Sequence, residues 1–250
     1  LELAQYFTYE MIKEQNEGKT DSTPDPAMID MFNAMVDEMF EYGRFILKEK
    51  RKNPANDLLS AIANAEINGE KLSDEFLDGS WLLIIFAGND TTRNTMSGGI
   101  KLLHENQKQK EMLIDNLELL PNFINETVRC VSPVIHMRRT SLEETEINGQ
   151  KIGPYEKIAL WYGAANRDPD VFEDPDKFNI LRDNADKHLA FGIGRHTCIG
   201  KPVALMQLQE FYSQFLTRFQ DFEMNGDWKV APNNFVHAIQ EMPIKFSPSK

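Results

Sequence analysis

The feature that most restricts the fold is Phe191-Gly192-Ile193-Gly194-Arg195-His196-Thr197-Cys198-Ile199-Gly200, which holds three glycines and a cysteine in ten residues. Glycine at that density marks backbone that turns sharply or lies close to something else. The stretch from Pro202 to Phe219 has the spacing of an amphipathic helix. A helix starting near Ile199 directs backbone N–H groups back at the Cys198 sulfur, which favours the thiolate and tunes its electron density. Cys198 is therefore a candidate ligand or nucleophile. A Gly-rich turn around an inert buried thiol is the plain alternative.

A second feature must be placed against that turn. Ser73 to about His104 reads as one long helix, with Asp74 and Glu75 suited to its first turn. Its segment Trp81-Leu82-Leu83-Ile84-Ile85-Phe86-Ala87 is apolar all round, which predicts burial on every side. A polar break follows at Gly88-Asn89-Asp90-Thr91-Thr92. Glycine in a helix interior costs about 1 kcal/mol relative to alanine, and Asp and Thr compete with the backbone for hydrogen bonds. Ile84, Ala87, Gly88, Thr91 and Thr95 share one face. A notch of small residues thus sits beside a hydroxyl, with an acid one position back. This is either a ligand-facing groove with a proton relay or a polar kink in which Thr91 bonds a preceding carbonyl.

The rest of the chain is mainly helical at first. Leu3 to Ile12 reads as helix and Gly18 to Pro26 as a polar loop, with Pro26 able to open the next helix. From Met28 to about Lys50 apolar residues recur at helical spacing, and Met28, Met31, Met35 and Met39 suit either core filling or the roof of a ligand channel. Lys48 to Lys52 is a basic helix end. Asp57 to Ala65, Gln107 to Asn116 and Leu119 to Val131 are further helices, the last closed by Pro133. Glu126 and Arg129 lie on one face of it; on a surface such a pair is worth a few tenths of a kcal/mol. Val134 to Thr140, Glu146 to Ile152 with a turn at Asn148-Gly149, and Lys157 to Tyr162 read as short strands of a small sheet. Ala164 to Asp176 reads as loop, and Phe222 to Phe246 as strands and turns.

The 250 residues are 41% hydrophobic and 26% charged, enough for a core and too apolar for disorder. No linker divides them, so residues 1–250 read as one domain. The net charge of −12 disfavours nucleic acid as a partner. Cys130 and Cys198 are the two cysteines, so no disulfide framework exists and an intracellular setting is expected. No run of eighteen apolar residues is present. The chain begins Leu1-Glu2-Leu3, without Met or a signal-peptide pattern, so upstream sequence is expected, and an anchor or signal there stays open. Zinc-ligand spacing is absent. His196 could act as a base to Cys198 in hydrolysis, but nothing else resembles a triad.

Three motifs together carry a resemblance. Phe191, Gly194, Cys198 and Gly200 fill the positions of the haem-binding loop of the cytochromes P450. Asp90 and Thr91 match that family's acid–Thr pair on the central helix, and Glu126, Arg129 and Arg182 match its core ion-pair network. The chain resembles the C-terminal portion of a soluble bacterial cytochrome P450. The resemblance implies a mainly α fold with a small β component, the family's N-terminal portion being absent from this chain. It implies heme b, iron protoporphyrin IX, with Cys198 as the iron ligand and Phe191, Gly192, Gly200 and Ala87 around the cofactor. Thiolate ligation of haem favours O–O cleavage. His196 and Arg139 are positioned for the propionates, Arg138 competing with Arg139; adjacent strand residues face opposite ways, so one of the two is expected to bind.

The same resemblance makes Asp90 and Thr91 the proton-delivery pair. Ile84, Ala87, Val134, Ile135 and Val236 become substrate-side residues, with Leu83 and Phe86 as further apolar wall. Glu126, Arg129 and Arg182 become structural. The implied activity inserts one oxygen atom of O2 into a C–H bond of a hydrophobic small molecule. Alkane or fatty-acyl terminal hydroxylation is favoured, with terpene or steroid next. A ferredoxin or flavoprotein supplies electrons near Arg195 and Lys201. The expected location is cytoplasmic. The competing reading is an incomplete or non-catalytic haem-binding module.

Overall fold

A computed structural model describes residues 26–248. The helix and loop expected before Pro26 lie outside the described residues. Contacts divide the chain into two compact units, Leu1–Asn89 and Asp90–Lys250, and the division falls inside one long helix. Each unit has its own core.

In the first unit, α1 (Pro26–Lys52) opens on its proline, as a missing N–H allows at a first helical position. Its last turn carries Lys50, Arg51 and Lys52. Next comes α2 (Leu58–Asn64), whose N-cap Asp57 accepts a hydrogen bond from the Ser60 N–H. The hairpin β1 (Glu66–Ile67) and β2 (Glu70–Lys71) turns through Asn68 and Gly69, both at positive φ. The sequence reading missed this Asn-Gly signal. The long helix, α3 (Asp74–Glu105), follows, and Ser73 Oγ accepts from the Phe76 N–H to cap it.

The core of this unit is Leu47, Ala63, Leu77 and Trp81, with Met39, Leu59, Ile62, Leu72 and Ile85 packed on it. Trp81 lies flat enough against α1 that a Cβ on Gly43 would fall 2.5 Å from its ring, and the indole N–H donates to the Met39 carbonyl at 3.0 Å. Burial on every side of the apolar run is not what forms. Leu82 is 41% exposed, Leu83 65% and Phe86 37%. The physical reason is the grip of the neighbours: the core takes one stripe, Leu77–Trp81–Ile85, and Leu82 and Leu83 point off it. The methionine stripe is corrected likewise. Met39 packs into the core, whereas Met31 and Met35 are exposed, lying on the turns before α1 meets the core.

The second unit takes α3 from Asp90 onward, α4 (Gln107–Asp115), a 3₁₀ turn (Leu117–Leu119) and α5 (Leu120–Val131). Ser132 ends α5 in the left-handed region at φ 43° and bonds back to Val128, one residue ahead of Pro133. Strands β3 (His136–Thr140) and β6 (Lys157–Trp161) pair antiparallel, and between them β4 (Thr145–Ile147) and β5 (Gln150–Ile152) turn through Asn148-Gly149. The short α6 (Tyr162–Ala165), read from sequence as the edge of a loop, follows.

After a long loop, α7 (Lys201–Arg218) leads to β7 (Asp221–Met224), β8 (Lys229–Ala231), β9 (Ala238–Glu241) and β10 (Ile244–Ser247). The described strands form five separate two-stranded antiparallel pairs in place of one small sheet. Ile100, Leu103, Leu113, Phe123, Ile124, Val128, Leu208, Tyr212 and Leu216 form the main core. Two glycines of α3 let its neighbours in. A Cβ on Gly98 would meet Val131 of α5 at 2.5 Å, and one on Gly99 would overlap the Tyr212 hydroxyl of α7. Tyr212 donates from there to the Thr95 carbonyl at 2.9 Å.

Candidate functional site

The Cys loop is built by its own backbone. The Cys198 N–H donates to the Phe191 carbonyl at 2.8 Å, closing the turn, and the Thr197 N–H donates to Gly194. Gly192 and Gly194 sit at φ 71° and 68°, a region that admits glycine cheaply. A Cβ on Gly192 would also stand 3.0 Å from the His196 carbonyl. Gly194–His196 forms one 3₁₀ turn and leaves His196 exposed. Gly200 is the N-cap of α7, with Pro202 in its first turn. Cys198 is a free, exposed cysteine two residues before that cap. A Cβ on Gly200 would lie 3.7 Å from Cys198 Sγ, so glycine keeps the sulfur's surroundings open. The inert buried thiol of the plain alternative is not what forms. A soft sulfur donor, presented on a glycine turn at a helix start with apolar Phe191 and Ile193 beside it, fits a flat, Cys-ligated haem.

Behind the loop lies the ion-pair network. Arg129 Nε donates to Glu126 Oε2 at 2.7 Å and its Nη2 to Oε1 at 2.8 Å, while Arg182 Nε reaches Oε2 at 3.1 Å. Glu126 and Arg129 are 0% exposed. The guanidinium groups of Arg129 and Arg182 also gather loop carbonyls: Arg129 takes those of Asn166 and Pro175, and Arg182 those of Glu173, Asp174 and Lys177. A pair worth tenths of a kcal/mol on a surface is here a buried cluster whose charges are all hydrogen-bonded.

On α3, Asp90 is 2% exposed and pairs with Arg93 at 2.7 Å, while Thr91 beside it is half-buried. Gly88 to Thr92 all fall within the span of α3. Thr95 Oγ1 donates to the Thr91 carbonyl and Asn94 Nδ2 to that of Asp90, both at 2.8 Å. Asn94 Oδ1 then accepts the Ile239 N–H and ties β9 to the helix.

Val134 and Val236 meet in a β-bridge, and Ile135 donates to the Phe235 carbonyl. The sequence placed these stretches beside one ligand, and they are hydrogen-bonded neighbours. The side chain of Val236 is buried with Ala231 and Ala238, whereas Val134 and Ile135 are half-buried. Arg139 is half-buried and donates to the Arg138 carbonyl; Arg138 is exposed, as alternation along β3 requires. In the first unit, Ile84 is half-buried and Ala87 exposed.

Sequence reasoning passed over Asn166 and gave His188 only a weaker claim to the propionates than His196. His188 is buried, and burial pushes its imidazole down to about 4, with the Lys201 charge adding to the effect. Its Nδ1 accepts the Ala190 N–H, which leaves Nε2 buried and unpartnered. Asn166 is fully buried in a loop whose Asn-Arg-Asp-Pro wording reads only as a turn.

Fold and site together describe a mainly helical protein that offers one cysteine sulfur from a glycine turn locked to a buried Glu–Arg–Arg cluster. Residues 25–246 match the family model of Cytochrome P450, and the chain belongs to that family. It is 36% identical over 214 residues to a linalool 8-monooxygenase of Pseudomonas putida, covering 86% of this chain and 52% of that one. It is 37% identical over 211 residues to a steroid C26-monooxygenase of Mycolicibacterium smegmatis, covering 84% and 52%. Among solved structures it resembles Cytochrome P450-153 from Novosphingobium aromaticivorans, with a TM-score of 0.80, 35% identity, and 89% and 55% of the two chains covered. The chain spans about half the length of the curated relatives it matches. Among the described residues no helix is long and apolar enough to cross a membrane.

Proposed function

We propose that the protein carrying this chain is a haem-thiolate monooxygenase, inserting one oxygen atom of O2 into a C–H bond of a hydrophobic small molecule. The observation that carries this reading is Cys198, exposed on its glycine turn ahead of α7. Cys198 would hold iron protoporphyrin IX, with Phe191, Gly192 and Gly200 around it and Arg139 and His196 meeting the propionates. The bound haem supplies reductive activation of O2. The chain would supply the protons: Thr91 Oγ1 would hold and donate one, and the Asp90 carboxyl, paired with Arg93, would connect that hydroxyl to solvent. Val134, Ile135 and Val236 would shape the substrate side.

The substrate class is an aliphatic skeleton, with alkane or fatty-acyl terminal hydroxylation favoured and terpenes or steroids next. Relatives named for a terpene alcohol and for a steroid support the apolar class. A ferredoxin or flavoprotein donates electrons beside Arg195 and Lys201, in the cytoplasm. Those names also favour turnover over a non-catalytic module.

The test is the reduced, CO-bound spectrum of the full-length protein. A strongly red-shifted Soret band that Cys198→Ser abolishes supports thiolate ligation, and an ordinary haemoprotein band in the unsubstituted protein refutes it. Turnover against alkanes, fatty acids, terpenes and steroids then fixes the substrate class.

A further inference from the structure

Asn166 caps the C-terminus of α6, and its four polar groups tie α6, the end of α5 and the loop at Leu189 together. Its N–H donates to the Tyr162 carbonyl at 2.9 Å. Its carbonyl accepts from Arg129 Nη1 at 2.8 Å. Its side-chain Nδ2 donates to Ser132 Oγ at 2.8 Å, and its Oδ1 accepts the Leu189 N–H at 2.6 Å. Ser132 Oγ in turn donates to the Arg129 carbonyl at 2.9 Å. Donor and acceptor roles are thereby fixed along the line, because the Leu189 N–H requires an oxygen.

The line ends at the Cys loop. The Leu189 carbonyl accepts the Gly192 N–H and the Phe191 carbonyl accepts the Cys198 N–H, both at 2.8 Å. Glu126 and Arg129, Ser132 and Asn166 are all at most 1% exposed, so water cannot replace a lost partner cheaply. The residues on either side of Leu189 offer no equivalent tie: His188 is held by Ala190 within its own turn.

We infer that Asn166 is the positioning residue through which the Glu126–Arg129 helix holds the Cys198 loop in ligating register. The inference rests on Cys198 binding haem iron. Asn166 touches neither cofactor nor substrate; it fixes Leu189, and Leu189 and Phe191 fix the turn that presents the sulfur. Without it the loop keeps its glycine turn but loses its anchor, and the sulfur is released from iron more readily.

The test uses the full-length holoprotein and follows how fast the red-shifted CO band converts to the thiolate-lost form in mild guanidinium. Asn166→Ala removes both side-chain bonds and should convert roughly tenfold faster or more, the Leu189 bond being the one that anchors the loop. Ser132→Ala should accelerate conversion less, and the double variant no more than Asn166→Ala, because the two act in series. Asn122→Ala is the control: it removes an amide bonded to the Ile180 and Arg182 carbonyls, away from Leu189, and should lower the melting temperature without changing the conversion rate. An Asn166→Ala protein that melts earlier yet converts at the unsubstituted rate has a merely structural asparagine, and overturns the inference. If Asn166→Ala yields no holoprotein, Ser132→Ala decides alone: faster conversion supports the line and an unchanged rate overturns it. An unsubstituted protein without the red-shifted band refutes Cys198 ligation, and this inference with it.

Discussion

The sulfurs of Cys130 and Cys198 differ in what surrounds them. Burial, with the nearby Glu126 carboxylate second, pushes the Cys130 thiol up to about 12, so it stays protonated at neutral pH. Cys198 is exposed. Alkylation of the haem-free chain at neutral pH should therefore mark Cys198 and spare Cys130, as peptide mass mapping would show. His188 gives a pH signature. Its folded value near 4 lies below the ordinary 6.5, so between those limits the unfolded chain takes up a proton that the folded chain refuses. Its stabilising share is complete above pH 6.5 and lost as pH falls toward 4, amounting to about 2 kcal/mol by pH 5. Urea midpoints at pH 7 and pH 5 should draw closer together in His188→Gln, and an unchanged gap would assign the acid sensitivity elsewhere.

Among the elements, α3 separates two kinds of glycine. A Cβ on Gly99 overlaps the buried Tyr212 hydroxyl, whereas one on Gly88 meets nothing within 4 Å. Gly99→Ala should cost about 1–3 kcal/mol through overpacking, and Gly88→Ala should gain about 0.5–1 kcal/mol from helix propensity. Thermal melts of the pair check the contrast. On α5, Glu126→Gln leaves two buried guanidinium groups facing a neutral amide, and a loss of about 3–5 kcal/mol is expected in denaturant titration.

These cases show where the sequence was readable. Periodicity located α1 and α7 because each presents a repeating apolar stripe, the length of its run located α3, and the Gly-Cys turn showed itself through composition alone. The exposed Leu83 escaped the reading because hydrophobicity says what gains from burial, not which neighbour arrives to bury it. Asn166 escaped because an amide that joins three elements looks, in the chain, like any turn asparagine. Arg182 was found only through resemblance; fifty-odd residues from Glu126, it has no local signal.

Across the chain as a whole the net charge is −12, and Arg195, exposed beside Cys198, stands out against it. An acidic electron donor meeting that loop should be steered locally by Arg195. Reduction of the full-length protein by a ferredoxin should slow several-fold in Arg195→Glu, with a weaker salt dependence, in stopped-flow traces; insensitivity to both would move the docking face elsewhere.

The uneven crowding along α3 has a practical corollary. A Cβ on Gly88 meets nothing within 4 Å, whereas one on Gly98 runs into Val131 and one on Gly99 into Tyr212. Substitution should therefore be cheap at Gly88, while the Gly98–Gly99 step behaves as a keel that selection leaves alone.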